Sequence, residues 1–169
     1  MRIWHWQAFE RDIVGTLIWS TTYWTSVDPE SGAAQNPYLD PQAYVAGTER
    51  SSRRFWGNGD GRFLYPPLRA ATPGRNDGKP IIEPPNESMR WEALREGEED
   101  YEMLSMLKNL AKERKLTPKQ REEVDRLLDF APITTGLTEF STDPDVLYKR
   151  RAEIASAIVA LMRLPKIAE

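Results

Sequence analysis

The placement of helix breakers constrains this chain more than any other feature. Nine of its thirteen prolines precede residue 88, and none falls between Ser88 and Thr117. Proline removes a backbone donor, clashes with the preceding turn, and pushes the residue before it out of the helical region. One unit of two unlike parts is therefore expected. Residues 1–87 predict strands and loops that line a cleft, and residues 88–169 predict helices.

The helical part has readable starts. Ser88 is the N-cap of a helix running to about Lys115, with Trp91, Leu94, Tyr101, Leu104, Leu107 and Ala111 as its apolar stripe. Thr117-Pro118 opens a second helix carrying Val124, Leu127 and Leu128. Asp143-Pro144 opens a third, with Leu147, Ile154, Ile158 and Leu161 on its buried face. Residues 1–10 predict the end of a helix, with Trp4 and Ala8 on one face. No internal repeat is found.

Residues 15–24, Gly-Thr-Leu-Ile-Trp-Ser-Thr-Thr-Tyr-Trp, begin with the uncharged, apolar composition of a buried strand. They end in hydroxyls and aromatics whose polar groups need partners: Ser20, Thr21, Thr22, Tyr23 and Trp24. Two readings stand: an ordinary core strand, or one that runs from a core into a cleft. Flat aromatic faces beside hydroxyl donors suit a sugar.

Residues 25–54 contain Asp28-Pro29, Asn36-Pro37 and Asp40-Pro41, which start turns; only residues 41–46 are expected to make a short helical piece. Then comes Phe55-Trp56-Gly57-Asn58-Gly59-Asp60-Gly61-Arg62-Phe63-Leu64-Tyr65-Pro66-Pro67. Its alternate glycines allow positive φ and close backbone approach. The ligands of a calcium loop are incomplete, including its terminal Glu. A tight turn or a polar loop at a cleft edge remains, followed by a short strand at residues 63–65. Residues 68–87 predict a second long loop.

The composition narrows the function classes. With 169 residues, 40% hydrophobic and 29% charged, the chain is expected to be a soluble globular protein. A net charge of −3 and the lack of a basic run interleaved with aromatics argue against nucleic acid. With no cysteine, disulfides, thiolate zinc sites and cysteine nucleophiles are excluded. His5, the single histidine, stands between Trp4 and Trp6, so no histidine cluster for a metal exists. No metal or cofactor is expected. No run reaches membrane-span length and the start lacks a signal-peptide core, so neither membrane nor export is expected for the chain itself.

Residues 15–24, residues 57–66 and the helix segment Arg90-Trp-Glu-Ala-Leu-Arg-Glu-Gly-Glu-Glu-Asp-Tyr-Glu102 share one order and spacing with a known family. Together they resemble the C-terminal part of the glycoside hydrolase family 123 catalytic domain, also known as domain of unknown function 4091. In that family a Gly-x-Leu-x-Trp strand ends near the sugar. A Gly-Asp-Gly stretch then leads to a Tyr-Pro strand end, and an Arg-x-Glu-x-Leu-Arg-x-Gly-x-x-Asp-Tyr-Glu helix follows. Here the helix pattern is matched by Arg90, Glu92, Leu94, Arg95, Gly97, Asp100, Tyr101 and Glu102. The resemblance covers nearly the whole chain and is weakest after Thr117.

The resemblance implies an α/β fold: the C-terminal portion of a (β/α)8 TIM-type barrel, with its last two strands and last helices, mostly helical after residue 88. A whole barrel takes about 250 residues, with its site at the strands' C-terminal ends. Residues 15–23 and 62–65 would be the seventh and eighth strands. It also implies an adjacent Asp-Glu pair that cleaves N-acetylhexosamine glycosides by substrate-assisted chemistry. No Asp in this chain is followed by Glu. The chain is thus expected to supply a sugar-binding wall without the catalytic pair.

Trp19 and Trp24 are candidates to stack on the sugar, with a core role open for Trp19. Tyr23 and Asp60 would hydrogen-bond its substituents, Trp56 and Asn58 would shape the rim, and Tyr65 is open between contact and structure. Arg90, Glu92 and Arg95 are expected to form a structural ion-pair network, with Glu92 and Arg95 one helical turn apart. The expected partner is a carbohydrate, together with the missing barrel portion or a second copy of the chain. The alternative is a non-catalytic carbohydrate-binding or protein-interaction module.

Overall fold

The computed structural model describes residues 1–24, 35–44, 55–71 and 79–167. In chain order its elements are α1 (Arg2–Glu10), β1 (Gln42–Tyr44), β2 (Phe55–Asn58), β3 (Leu64–Tyr65), α2 (Leu68–Ala71), β4 (Asn86–Glu87), α3 (Met89–Glu113), α4 (Pro118–Leu127) and α5 (Pro144–Met162). The fold mixes helices with small sheets. It divides into two compact units, one of Met1–Gly15 with Ala93–Glu169 and one of Thr16–Glu92. The helix at the N-terminus thus belongs with the C-terminal helices, across the sequence boundary at residue 88.

In the first unit the apolar faces of α1, α3, α4 and α5 close on one core. It includes Trp6, Phe9, Leu104, Leu107, Val124, Leu127, Phe130, Leu147, Ile154 and Leu161. On α1 it is Trp6 that is fully enclosed, edge-on to Phe130 at 5.8 Å, while Trp4 is half-buried. The helix starts follow their local chemistry. Ser88 Oγ accepts from Trp91 N–H, Thr117 and Gln120 form a reciprocal capping box, and Asp143 accepts from Asp145 N–H. At the other end of α4, Arg150 donates to the carbonyls of Arg126, Leu127 and Asp129. A cation there meets the orphan carbonyls and the negative end of the helix dipole.

The second unit corrects several expectations. Residues 15–23 form no strand; only Thr22 makes a bridge, antiparallel to Arg62. Val14 and Leu17 are 93% and 85% exposed, so the run lies against no core. Residues 62–65 shrink to the two-residue β3, paired antiparallel with β4 through Leu64–Glu87 and Tyr65–Asn86. All described strand pairings are antiparallel, and the described residues form no barrel segment. The reason is pairing: strand composition makes a strand only where a second backbone meets its N–H and C=O groups. Within residues 41–46 the expected helical piece is instead β1, which pairs with Asn58, Gly57 and Phe55 of β2. The loop expected at 68–87 contains α2 and β4. The turn expected at Asp28-Pro29 and residues 72–78 of that loop lie outside the described residues.

Candidate functional site

The second unit is organised by Gly59-Asp60-Gly61. Both glycines have positive φ, 74° and 70°, a region open to glycine and strained for other residues. The absent side chains make room on two sides. The Arg90 guanidinium lies against Gly59, where a Cβ would stand 2.1 Å from Cζ. Trp19 and Tyr23 lie against Gly61, where a Cβ would stand 2.6 Å from the indole. Backbone bonds tie residues 21–23 to this turn: Tyr23 N–H donates to Gly61 C=O at 2.8 Å, and Phe63 N–H to Thr21 C=O at 2.9 Å.

Beneath the turn Arg62 is almost fully buried. Its guanidinium donates to the carbonyls of Tyr23, Asp40 and Gln42 and to the side-chain oxygen of Gln35. One side chain thereby ties residue 23 and the segment 35–42, which leads into β1, to the glycine turn. Gln35 adds bonds to the carbonyls of Asp40 and Gln42.

Several expected site residues do converge on this unit. Trp19, half exposed, donates its indole N–H to Asp60 at 3.1 Å and tilts against Tyr23 with ring centroids 5.2 Å apart. Trp24 instead turns its indole N–H to the Leu64 carbonyl at 2.9 Å, which spends that donor on the fold. Asn58 is exposed at the end of β2. The side chain of Trp56 lies outside the described residues.

Tyr65 faces an open cleft of about 320 Å³, lined by Tyr38, Tyr65, Asn86, Glu87, Ser88, Met89 and Arg90. The Tyr38 and Tyr65 rings are 5.1 Å apart at 49°. Arg90 donates to the Tyr65 hydroxyl at 2.7 Å and to the Arg62 carbonyl at 3.3 Å. The Tyr38 hydroxyl donates to the Pro66 carbonyl and accepts from the Asn86 amide.

The expected ion-pair network is not what Arg90 joins: its described partners are a hydroxyl and a carbonyl. Arg95 pairs with Glu99 at 2.8 Å, one turn on, and Glu99 also meets Arg151. Glu92 is half-buried in the first turns of α3.

Tyr38, Asn86 and Arg62 were not singled out by sequence. Tyr38 had a usable signal. It follows Asn36-Pro37, and Asn36 Oδ1 accepts its N–H in an Asx turn that sets the ring's direction. Arg62 and Asn86 had none, because their partners lie far away in sequence.

His5 belongs to the other unit. It is buried against Gly97, its Nδ1 meets no partner, and burial pushes its pKa below the usual imidazole value. Among the described residues no three His, Asp or Glu side chains are placed to hold a metal, and no helix is long and apolar enough to cross a membrane. No protein-family model, curated protein or solved structure matches the chain.

Proposed function

We propose that this chain is a carbohydrate-binding part of a glycoside hydrolase acting on N-acetylhexosamine-type glycosides. The Tyr38–Tyr65 cleft is the place where one sugar ring sits. One observation carries the reading: two tyrosine rings share a cleft of about 320 Å³ with an amide, a hydroxyl and a guanidinium. That is near the lower end of ligand pockets, roughly 300–1,000 Å³, and matches a ring rather than a long chain. The apolar faces of a pyranose lie on tyrosine, while its hydroxyls meet Asn86, Ser88 and Arg90. Trp19, Tyr23 and Asp60 extend the same wall past the glycine turn.

On this reading the acid and the acetamide-orienting carboxylate come from polypeptide beyond these 169 residues. The test is calorimetric titration of the chain with the disaccharides of N-acetylglucosamine and N-acetylgalactosamine. Binding weakened about tenfold, or ~1.4 kcal/mol, by Tyr65→Ala supports the proposal. Binding of neither disaccharide, or binding indifferent to Tyr65→Ala and Tyr38→Ala, removes it and favours an interaction module.

A further inference from the structure

We infer that this cleft takes the carboxylate-bearing ring of an acidic saccharide, a hexuronic acid, with Arg90 as the anion contact. The inference rests on the carbohydrate reading above and adds the charge of the ligand. Arg90 forms no ion pair among the described residues: Nε donates to the Arg62 carbonyl, Nη2 to the Tyr65 hydroxyl, and Nη1 to no described group. Five other arginines carry a close carboxylate partner. Arg2, Arg11, Arg95, Arg126 and Arg151 each stand within 3.0 Å of a carboxylate oxygen.

Arg90 is also held in place rather than extended into water. It lies on the backbone of Gly59, where any side chain would collide with it, and its Cζ stands 6.0 Å from the Tyr65 ring centroid. A half-buried, oriented guanidinium with free N–H groups fits a planar carboxylate, and that pairing is stronger than one to a neutral hydroxyl. A neutral sugar would leave its charge unmet. Tyr38 and Tyr65 supply the wall for the ring that bears the acid. Glu87, the one carboxylate among the described residues that line the cleft, is exposed and opposes an anionic ligand. Its removal therefore has a predictable sign.

The chain is titrated calorimetrically, at low and high salt, with three probes. They are a tetrasaccharide alternating glucuronic acid and N-acetylglucosamine, the carboxyl methyl ester of that tetrasaccharide, and chitotetraose. The acid should bind about tenfold more tightly than its ester at low salt, and the gap should shrink at high salt. Arg90→Gln should close it, and Glu87→Gln, a surface change that leaves the fold intact, should widen it. Equal binding of acid and ester, or a gap indifferent to both variants, overturns the charge assignment. Binding of chitotetraose in that case leaves the carbohydrate reading standing; binding of none of the three overturns both.

Discussion

Within α3, Gly97 lies against the imidazole of His5, and a Cβ built there would stand 2.2 Å from Nδ1 and 2.8 Å from Cγ. Helix propensity alone would make Gly97→Ala stabilising by about 1 kcal/mol. Overlap with a buried ring costs about 1–3 kcal/mol, so a net loss is expected. Thermal melts of Gly97→Ala, His5→Ala and the double variant test this. The two changes should be non-additive, with Gly97→Ala harmless once the ring is gone. A raised melting temperature for the single variant would sink the packing account.

The same imidazole gives a pH dependence. Burial lowers its pKa from the unfolded value of about 6.5, partly opposed by Glu98 and Asp100, while the N-terminal charge adds to the lowering. The native state therefore favours neutral His5. That contribution is complete above about pH 6.5 and is lost as pH falls through the folded value. Melts between pH 7.5 and 5, a window of roughly one to two units around that value, should show a decline that is shallower in His5→Asn. Parallel profiles would assign the acid sensitivity to other groups. The sequence showed that His5 was alone, but not that it faces a glycine ninety-two residues away.

At the scale of elements, α1 is docked on α3 by a buried carboxylate. Asp100, 1% exposed, accepts from Arg2 Nε at 2.6 Å and from the Trp6 indole at 2.9 Å, and Arg151 Nε of α5 stands 2.8 Å away. Arg2 also pairs with Glu96. Removing the charge leaves the buried Arg2 and the partly exposed Arg151 guanidinium facing a neutral amide. Breaking such a buried pair costs about 3–5 kcal/mol. Asp100→Asn should fall at the low end of that range, and Asp100→Ala at the high end because the indole donor is then orphaned too. Chemical denaturation measures both, and losses under about 1 kcal/mol would mean that water already serves these cations.

Helix starts at Ser88, Thr117 and Asp143 were legible because a cap acts within three residues of chain. Residues 15–23 were misjudged because a strand's partner is not local. Gly97 and Asp100 were legible in the sequence as helical residues. Their roles, room for His5 and a seat for Arg2, appear only in three dimensions.

At the scale of the molecule, residues 14–18 have strand composition and no described backbone hydrogen bond. In hydrogen exchange their amides should exchange near the unfolded rate, whereas those of Leu104 and Leu107 in the core should be the slowest. Protection across residues 14–18 would show a pairing partner in solution, such as a second copy.

On the proposed reading the chain alone should not hydrolyse aryl N-acetylhexosaminides, because the adjacent Asp-Glu pair that this reading requires to protonate the leaving group and orient the acetamide is not among its residues. Turnover above a no-enzyme blank, abolished by changing one acidic residue, would relocate the chemistry into these residues. The helices after residue 88, their caps, their core faces apart from Trp91, which stands outside the core, and the polar glycine turn were legible in the sequence, since each depends on neighbours within one or two turns of chain. Three-dimensional packing alone brings α1 to the C-terminal helices, ties residue 23 and the segment 35–42 to Arg62, and sets Tyr38 against Tyr65. Those contacts bring together groups twenty to about a hundred residues apart, and a buried charge or ring is directed by whichever partner satisfies it.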